Sequence, residues 1–336
     1  MARIFTEGFE MGDLLGLSSI NGGAIIKTSS PAPRSGVYCL YCSDITANVT
    51  IDIDDKTELY FRAGVRCVSV DTGSTTILFG AYNSTTPLIR INMTTLSLSL
   101  QVGTATTGTA FYTINQSVWY LLEVYVKIHD TEGVVTVKLD GIEVYSFSGD
   151  TKPGADTTIN NIVLGQKTSA VNYPAFDDIA INDTTGSVDN SWCGDGRIIA
   201  LKTNASGDIT NLTNSAGTQV NNYTYVDDIP ADGDTTFVYG DSENEYDLYG
   251  FENPSIPVNN IPKMVWVEGR AKTTGSGTGR MVIKSSGSEI TSGSMALGYE
   301  YGVLLSEYYS IDPITSGSWS QETLDAIQAG MKIGGI

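Results

Sequence analysis

The stretch SVWYLLEVYVKIHDTEGVVTVKLDGIEVYSFSG, residues 117–149, constrains the fold more than any other part of the chain. Leu122, Val124, Val126 and Ile128 alternate with Glu123, Tyr125 and Lys127. That period of two belongs to a strand with one face in a core. HDTEG makes a turn and VVTVKL returns. Asp140-Gly141 then suits the positive-φ geometry of a two-residue hairpin into IEVYSF. Three consecutive antiparallel strands are predicted.

Similar runs recur at 36–42, 47–53, 58–70, 75–82, 87–93, 96–103 and 110–114, with turn-forming residues between them. The chain holds 36 glycines and abundant Ser, Thr and Asn, so short strands joined by many turns are expected. Its 336 residues, 41% hydrophobic and 17% charged, suffice for one large or two ordinary domains with cores of their own. The predicted class is all-β.

A net charge of −19 repels phosphate backbones, and no local cluster of Lys and Arg offsets it, so nucleic acid is not an expected partner. No apolar run reaches the ~18–20 residues of a membrane helix, and the opening MARIFTEGFEMGDLL lacks a signal-peptide core. No membrane association and folding in a cytoplasm are therefore expected. The Cys39-x-x-Cys42 pair has no second pair to complete a zinc site, and His129 is the single histidine. These cysteines, with Cys67 and Cys193, are read as small buried residues.

The strand opened by Trp119, its return to Asp140-Gly141, NIVLG at 161–165 and AFDDIAIND at 175–183 follow one another in the order of the laminin-G and concanavalin A-like jelly roll, which residues 4–185 resemble. The resemblance implies that FTEGFEMGDLLGL pairs beside the 175–183 strand to close a sandwich, with Ile179 and Ile181 inward and Phe176 near the sandwich end. From about 186, TTGSVDNSWCGDGRIIALKTNASGD resembles a passage of tailed-bacteriophage structural proteins that leads into a second β-rich module. In that module Trp319, Ser320, Leu324 and Ile327 have the spacing of a capped amphipathic helix. The resemblance implies architecture and brings no functional residues.

Asp177, Asp178, Asn182 and Asp183 are weak calcium candidates, because clustered oxygen ligands hold hard cations. Against this, Asp177 and Asp178 on a regular strand face opposite sides, and Asn182-Asp183 suits a turn. Asp52 and Asp54 share a face but lack the glutamates of a glycosidase pair. His129 sits mid-hairpin with no fixed nucleophile nearby. GSGTGR, 275–280, lies between two strand-like runs with no helix following, and reads as a hairpin tip rather than a phosphate loop. Trp192 is expected in an interdomain groove and Trp119 in a core. The many tyrosines of the second half suit contact surfaces.

The expectation is thus two tandem β-sandwich or jelly-roll modules with a short C-terminal helix: 1–185, then 186–222 as linker and start of the second module, then 223–336. No catalytic, cofactor-binding or metal residues are predicted beyond these weak calcium candidates, and no cofactor is required, calcium being the one possibility kept. The expected function is a non-enzymatic structural component of a bacteriophage virion, a capsid decoration or head/tail-surface protein. Its partners would be other virion proteins and further copies of itself, and its location the virion. The alternative is a lectin-like module that binds host-surface glycan.

Overall fold

A computed structural model describes residues 2–106, 109–167 and 172–335. The chain divides into two compact units, 1–199 and 200–336. In chain order the first contains β1 (Arg3–Glu7), β2 (Ser19–Asn21), β3 (Ala24–Lys27), β4 (Cys39–Cys42), β5 (Asn48–Lys56), β6 (Glu58–Ser69), β7 (Thr75–Asn83) and β8 (Thr86–Thr94). It continues with β9 (Ser97–Val102), β10 (Ala105–Thr106), β11 (Tyr112–Thr113), β12 (Trp119–Lys127), β13 (Gly133–Leu139), β14 (Ile142–Gly149), β15 (Ile159–Leu164) and β16 (Tyr173–Asn182).

These strands form two antiparallel sheets. One runs β14-β13-β12-β6-β16-β4-β3, with β1 also on β16; the other runs β10-β9-β8-β7-β15-β5-β2, with β11 also on β9. The amino-terminal strand pairs with β16, Phe5 opposite Ile181 and Glu7 opposite Ile179, so the predicted closure is present. The predicted hairpins are present too. Asp140 and Gly141 both have positive φ, 51° and 80°, and link β13 to β14 directly.

The alternation of β12 is borne out in the packing. Leu122, Val124 and Val126 are fully buried and join Phe61, Phe79, Phe176, Ile179 and Ile181 in one core between the sheets. Burial of each large aliphatic side chain contributes roughly 1.5–3 kcal/mol relative to exposure, and this shared core is what holds the sheets face to face. All four cysteines are buried free thiols. Burial pushes the Cys39 and Cys42 thiols up to about 12, which keeps them protonated and unreactive. Trp119 differs from expectation: it is half-buried at the start of β12, its ring N–H donating to the Ala32 carbonyl at 3.1 Å.

The second unit contains β17 (Thr203–Thr210), β18 (Thr213–Asn214), β19 (Val238–Tyr239), β20 (Asp247–Phe251), β21 (Glu268–Ala271), β22 (Thr278–Ser285), β23 (Ser288–Thr291), β24 (Met295–Ala296), β25 (Gly302–Leu305), α1 (Gln321–Asp325) and β26 (Gln328–Ile333). Its main sheet runs β17-β20-β26-β22-β23, with β24 on β22; β18-β19 and β21-β25 are separate pairs. The GSGTGR segment is not a hairpin tip, because β21 pairs with β25 while β22 joins the main sheet. Ser320 caps α1 as predicted, accepting from the Thr323 N–H while the Thr323 hydroxyl accepts from the Ser320 N–H. Trp319, Leu324 and Ile327 pack with Tyr309 and Ile283 in that unit's core. Of the tyrosines read as contact residues, Tyr249 and Tyr309 are core, whereas Tyr299 and Tyr239 are exposed.

Candidate functional site

The sequence-derived calcium candidates lie on β16, and a single extra residue there reorganises them. Asp177 pairs with Gly64 but Ala180 pairs with Arg62, so β16 advances three positions while β6 advances two. Asp178 takes up the irregularity at φ 51°. A bulge of this kind re-aims side chains that a regular strand would send to opposite faces. Both aspartates consequently turn to residues 34–35, which corrects the expectation that they diverge.

Asp177 Oδ2 accepts the N–H groups of Arg34 (2.7 Å) and Ser35 (3.1 Å), and its Oδ1 accepts that of Asp178. Asp178 takes the Arg34 guanidinium at 2.6 Å, the Ser35 hydroxyl at 2.7 Å and the Ile198 N–H at 2.8 Å. Asn182 is committed elsewhere, accepting from Arg3 and donating to the Ser191 carbonyl. Asp183 accepts from Lys56 and Thr185. The four are therefore not gathered around one point. Among the described residues, no group of three or more His, Cys, Asp or Glu side chains is placed to hold a metal ion. Asp52 and Asp54 are exposed on β5. His129 Nδ1 accepts the N–H groups of Thr131 and Glu132 and serves the hairpin turn.

Arg34 crosses the outer face of the first sheet because Gly64 in β6 has no side chain: a Cβ there would stand 2.5 Å from the Arg34 Cδ. From that position Arg34 also bonds Asp195 at 2.5 Å and the Gly196 carbonyl at 3.0 Å. Residues 191–198 are thereby drawn onto the sheet instead of hanging free. Trp192 lies against Tyr60 and Tyr125 with the Lys138 ammonium 3.8 Å from its ring centre, so it sits on the sheet of its own unit. Arg62, 4% exposed, donates to the carbonyls of Asp178 and Gly194.

Between this strap and the β13–β14 turn lies a cavity of about 210 Å3, lined by Arg34, Leu121, Glu123, Asp140 and Asp195 with two glycines. Glu123 is only 3% exposed, although it points away from the core. Its Oε1 accepts the Gly194 N–H at 2.8 Å. Among the described residues nothing bonds its other oxygen, which is left to the cavity. Asp140 Oδ1 accepts the Leu121 N–H at 2.8 Å, which fixes its exposed carboxylate at the rim. Asp195 is 76% exposed at its side chain and closes the opposite rim. Leu121 supplies an apolar floor.

Three carboxylates and a guanidinium around a small hollow can accept and donate hydrogen bonds at several points at once. The neighbouring Tyr125 keeps its proton: burial and the Glu58 carboxylate that accepts its hydroxyl both push its pKa up. Burial, helped by the Asp178 charge, also raises Asp177 to about 8 against its three N–H bonds. Glu10, 7% exposed, is pushed by burial from 4.5 to about 7, although the Val37 and Tyr38 N–H groups pull it down.

The raised Glu10 pKa has a signed consequence. The folded state holds this proton more tightly than the unfolded chain does. The associated stability is complete below about 4.5 and is lost as pH rises through about 7. Replacing Glu10 with Gln is expected to flatten that part of the stability curve relative to wild type. Thermal melts across the same pH interval check it; parallel wild-type and variant curves would refute the assignment.

No protein-family model matches the chain, and no curated protein matches it. Similar folds occur among solved structures. The endo-β-1,4-glucuronan lyase of the fungus Trichoderma reesei is 14% identical with a TM-score of 0.45, over 54% of this chain and 95% of that one. The cellulose induced protein Cip1 is 14% identical with a TM-score of 0.42, over 57% and 100%. The alginate lyase Aly36B is 14% identical with a TM-score of 0.37, over 53% and 96%. These findings correct two expectations. The similar structures include lyases and nothing indicates a virion protein, so the reading as a non-enzymatic virion component is set aside, and so is the reading as a protein without enzymatic activity. At this identity the likeness is one of fold, a jelly-roll-like β-sandwich, and it transfers no activity or substrate.

Proposed function

We propose that the first unit binds carbohydrate in the cavity between the β13–β14 turn and the 191–198 strap. One observation carries this reading: the open oxygen of the buried Glu123 faces a hollow rimmed by Asp140, Asp195 and Arg34 over the apolar floor of Leu121. Sugar hydroxyls donate and accept together, so neighbouring hydroxyls suit carboxylate and guanidinium groups side by side, and the C–H face of a ring suits an aliphatic floor. The volume of about 210 Å3 lies below the ~300–1,000 Å3 of pockets that enclose drug-sized ligands. It matches one sugar ring of a chain rather than a long stretch of polymer.

The test is a glycan array probed with the full chain, followed by calorimetry on any sugar retained. Glu123→Gln keeps the shape and removes the charge. It is expected to weaken binding about 10- to 100-fold, the range for loss of a hydrogen bond to a charged group. Absence of binding to every glycan, or unchanged affinity in this variant, would overturn the proposal. The retained sugars are also assayed for new chain ends; if these form, Glu123 and Asp140 are the first carboxylates to substitute as acid and base.

A further inference from the structure

The cavity over Leu121 is rich in open acceptors and poor in open donors. Glu123 is buried, with its second oxygen left to the hollow. Asp140 spends one oxygen on the Leu121 N–H, and among the described residues nothing bonds the other. The donors nearby are largely committed. The Gly194 N–H goes to Glu123 and the Leu121 N–H to Asp140. The Arg34 guanidinium holds Asp178 at 2.6 Å, Asp195 at 2.5 Å and the Gly196 carbonyl at 3.0 Å. A ligand that fits here must bring donors.

Charge adds a second requirement. Glu123, Asp140 and Asp195 line the cavity against a single cation, Arg34, which also serves the buried Asp178. In the ladder Glu123 stands opposite Arg62 on β6 and Lys138 on β13. Arg62 donates to the carbonyls of Asp178 and Gly194, and the Lys138 ammonium lies on the Trp192 ring, so both are engaged elsewhere. Four carboxylates thus meet three cations, which leaves one negative charge over. A buried charge short of its counter-charge is unfavourable, and a cationic ligand relieves it. The net charge of −19 also draws cations and repels anions.

An ammonium group on a sugar ring answers both requirements, with three N–H donors and one positive charge in about the space of a hydroxyl. A hydroxyl brings one donor and no charge, an acetamide adds bulk without charge, and a uronate sets a further anion beside Glu123. We propose that the sugar held in this cavity is an amino sugar with a free amine, its ammonium seated on the open Glu123 oxygen. This rests on the carbohydrate reading of the same cavity.

Calorimetry on the full chain tests it, with short oligomers of glucosamine and of galactosamine titrated beside their N-acetylated, hydroxyl and uronate counterparts. The free amines are expected to bind about 10- to 100-fold more tightly than the N-acetylated and hydroxyl forms, the range for hydrogen bonds to a charged group. Uronates should bind more weakly than either. In Glu123→Gln and in Asp140→Asn the preference for the amine should shrink toward unity. Asp140→Asn keeps the acceptor for the Leu121 N–H and leaves the strap untouched, so it reads the charge even where Glu123→Gln loosens Gly194. A neutral or uronate oligomer that binds as tightly as the amine would overturn the amino-sugar assignment and leave the carbohydrate reading standing. A preference undiminished in both variants would overturn it too, because selectivity would then come from the acidity of the whole chain. Binding of none of these oligomers also overturns it, and the glycan array decides the carbohydrate reading separately.

Discussion

Ile179→Asp is expected to unfold the first unit. Ile179 is fully buried on β16, opposite Glu7 of β1, at the place where the amino-terminal strand closes the sandwich. A carboxylate there would enter the hydrophobic cluster that includes Phe61, Phe176 and Ile181. Stranding a charge in a core costs several kcal/mol even after relaxation. That is comparable with the ~5–15 kcal/mol that holds a whole domain folded. The second unit has hydrophobic clusters of its own and should keep its transition. Scanning calorimetry should therefore show one transition lost and one retained. Retention of both would mean that Ile179 does not face the core.

Asp178→Ala is expected to cost about 3–5 kcal/mol, the range for removing one partner of a buried ion pair. Three donors lose their acceptor together: the Arg34 guanidinium, the Ser35 hydroxyl and the Ile198 N–H. For a unit of this size the loss corresponds to roughly 10 °C in melting temperature. Because Arg34 and Ile198 also fasten the 191–198 strap, the variant should expose that strap to limited proteolysis ahead of global unfolding. A melting temperature unchanged from wild type would refute the assigned role of Asp178.

Much of the architecture is legible in the amino-acid sequence, because the signals that set it are local. Leu122, Val124 and Val126 alternate with Glu123, Tyr125 and Lys127, the Asp140-Gly141 turn has few alternatives, and Ser320 with Leu324 marks a capped helix. The bulge on β16 is different. Its extra residue has no glycine or proline to announce it, and a period-two reading then assigns every side chain near Asp178 by a rule that fails there. The one visible hint is that Ile179, Ala180 and Ile181 form an unbroken apolar run directly after two aspartates.

The cavity is less legible still. Arg34, Glu123, Asp140 and Asp195 come from four separate segments, and only the sheet order and the folded-back strap bring them together. Glu123 stands out in one respect: it is the lone acid in the otherwise apolar and aromatic run from Trp119 to Val126. The pairing of β21 with β25 instead of β22 is likewise a non-local choice that the glycine-rich 275–280 segment does not encode.

The most direct measurement is a crystal structure of the full chain grown with a sugar retained on the glycan array. The expected result is one ring in the cavity over Leu121, with hydroxyl oxygens within ~2.6–3.2 Å of the free Glu123 oxygen and of the Asp140 carboxylate. A sugar bound on another face, with this cavity holding only water, would contradict the assignment of the site.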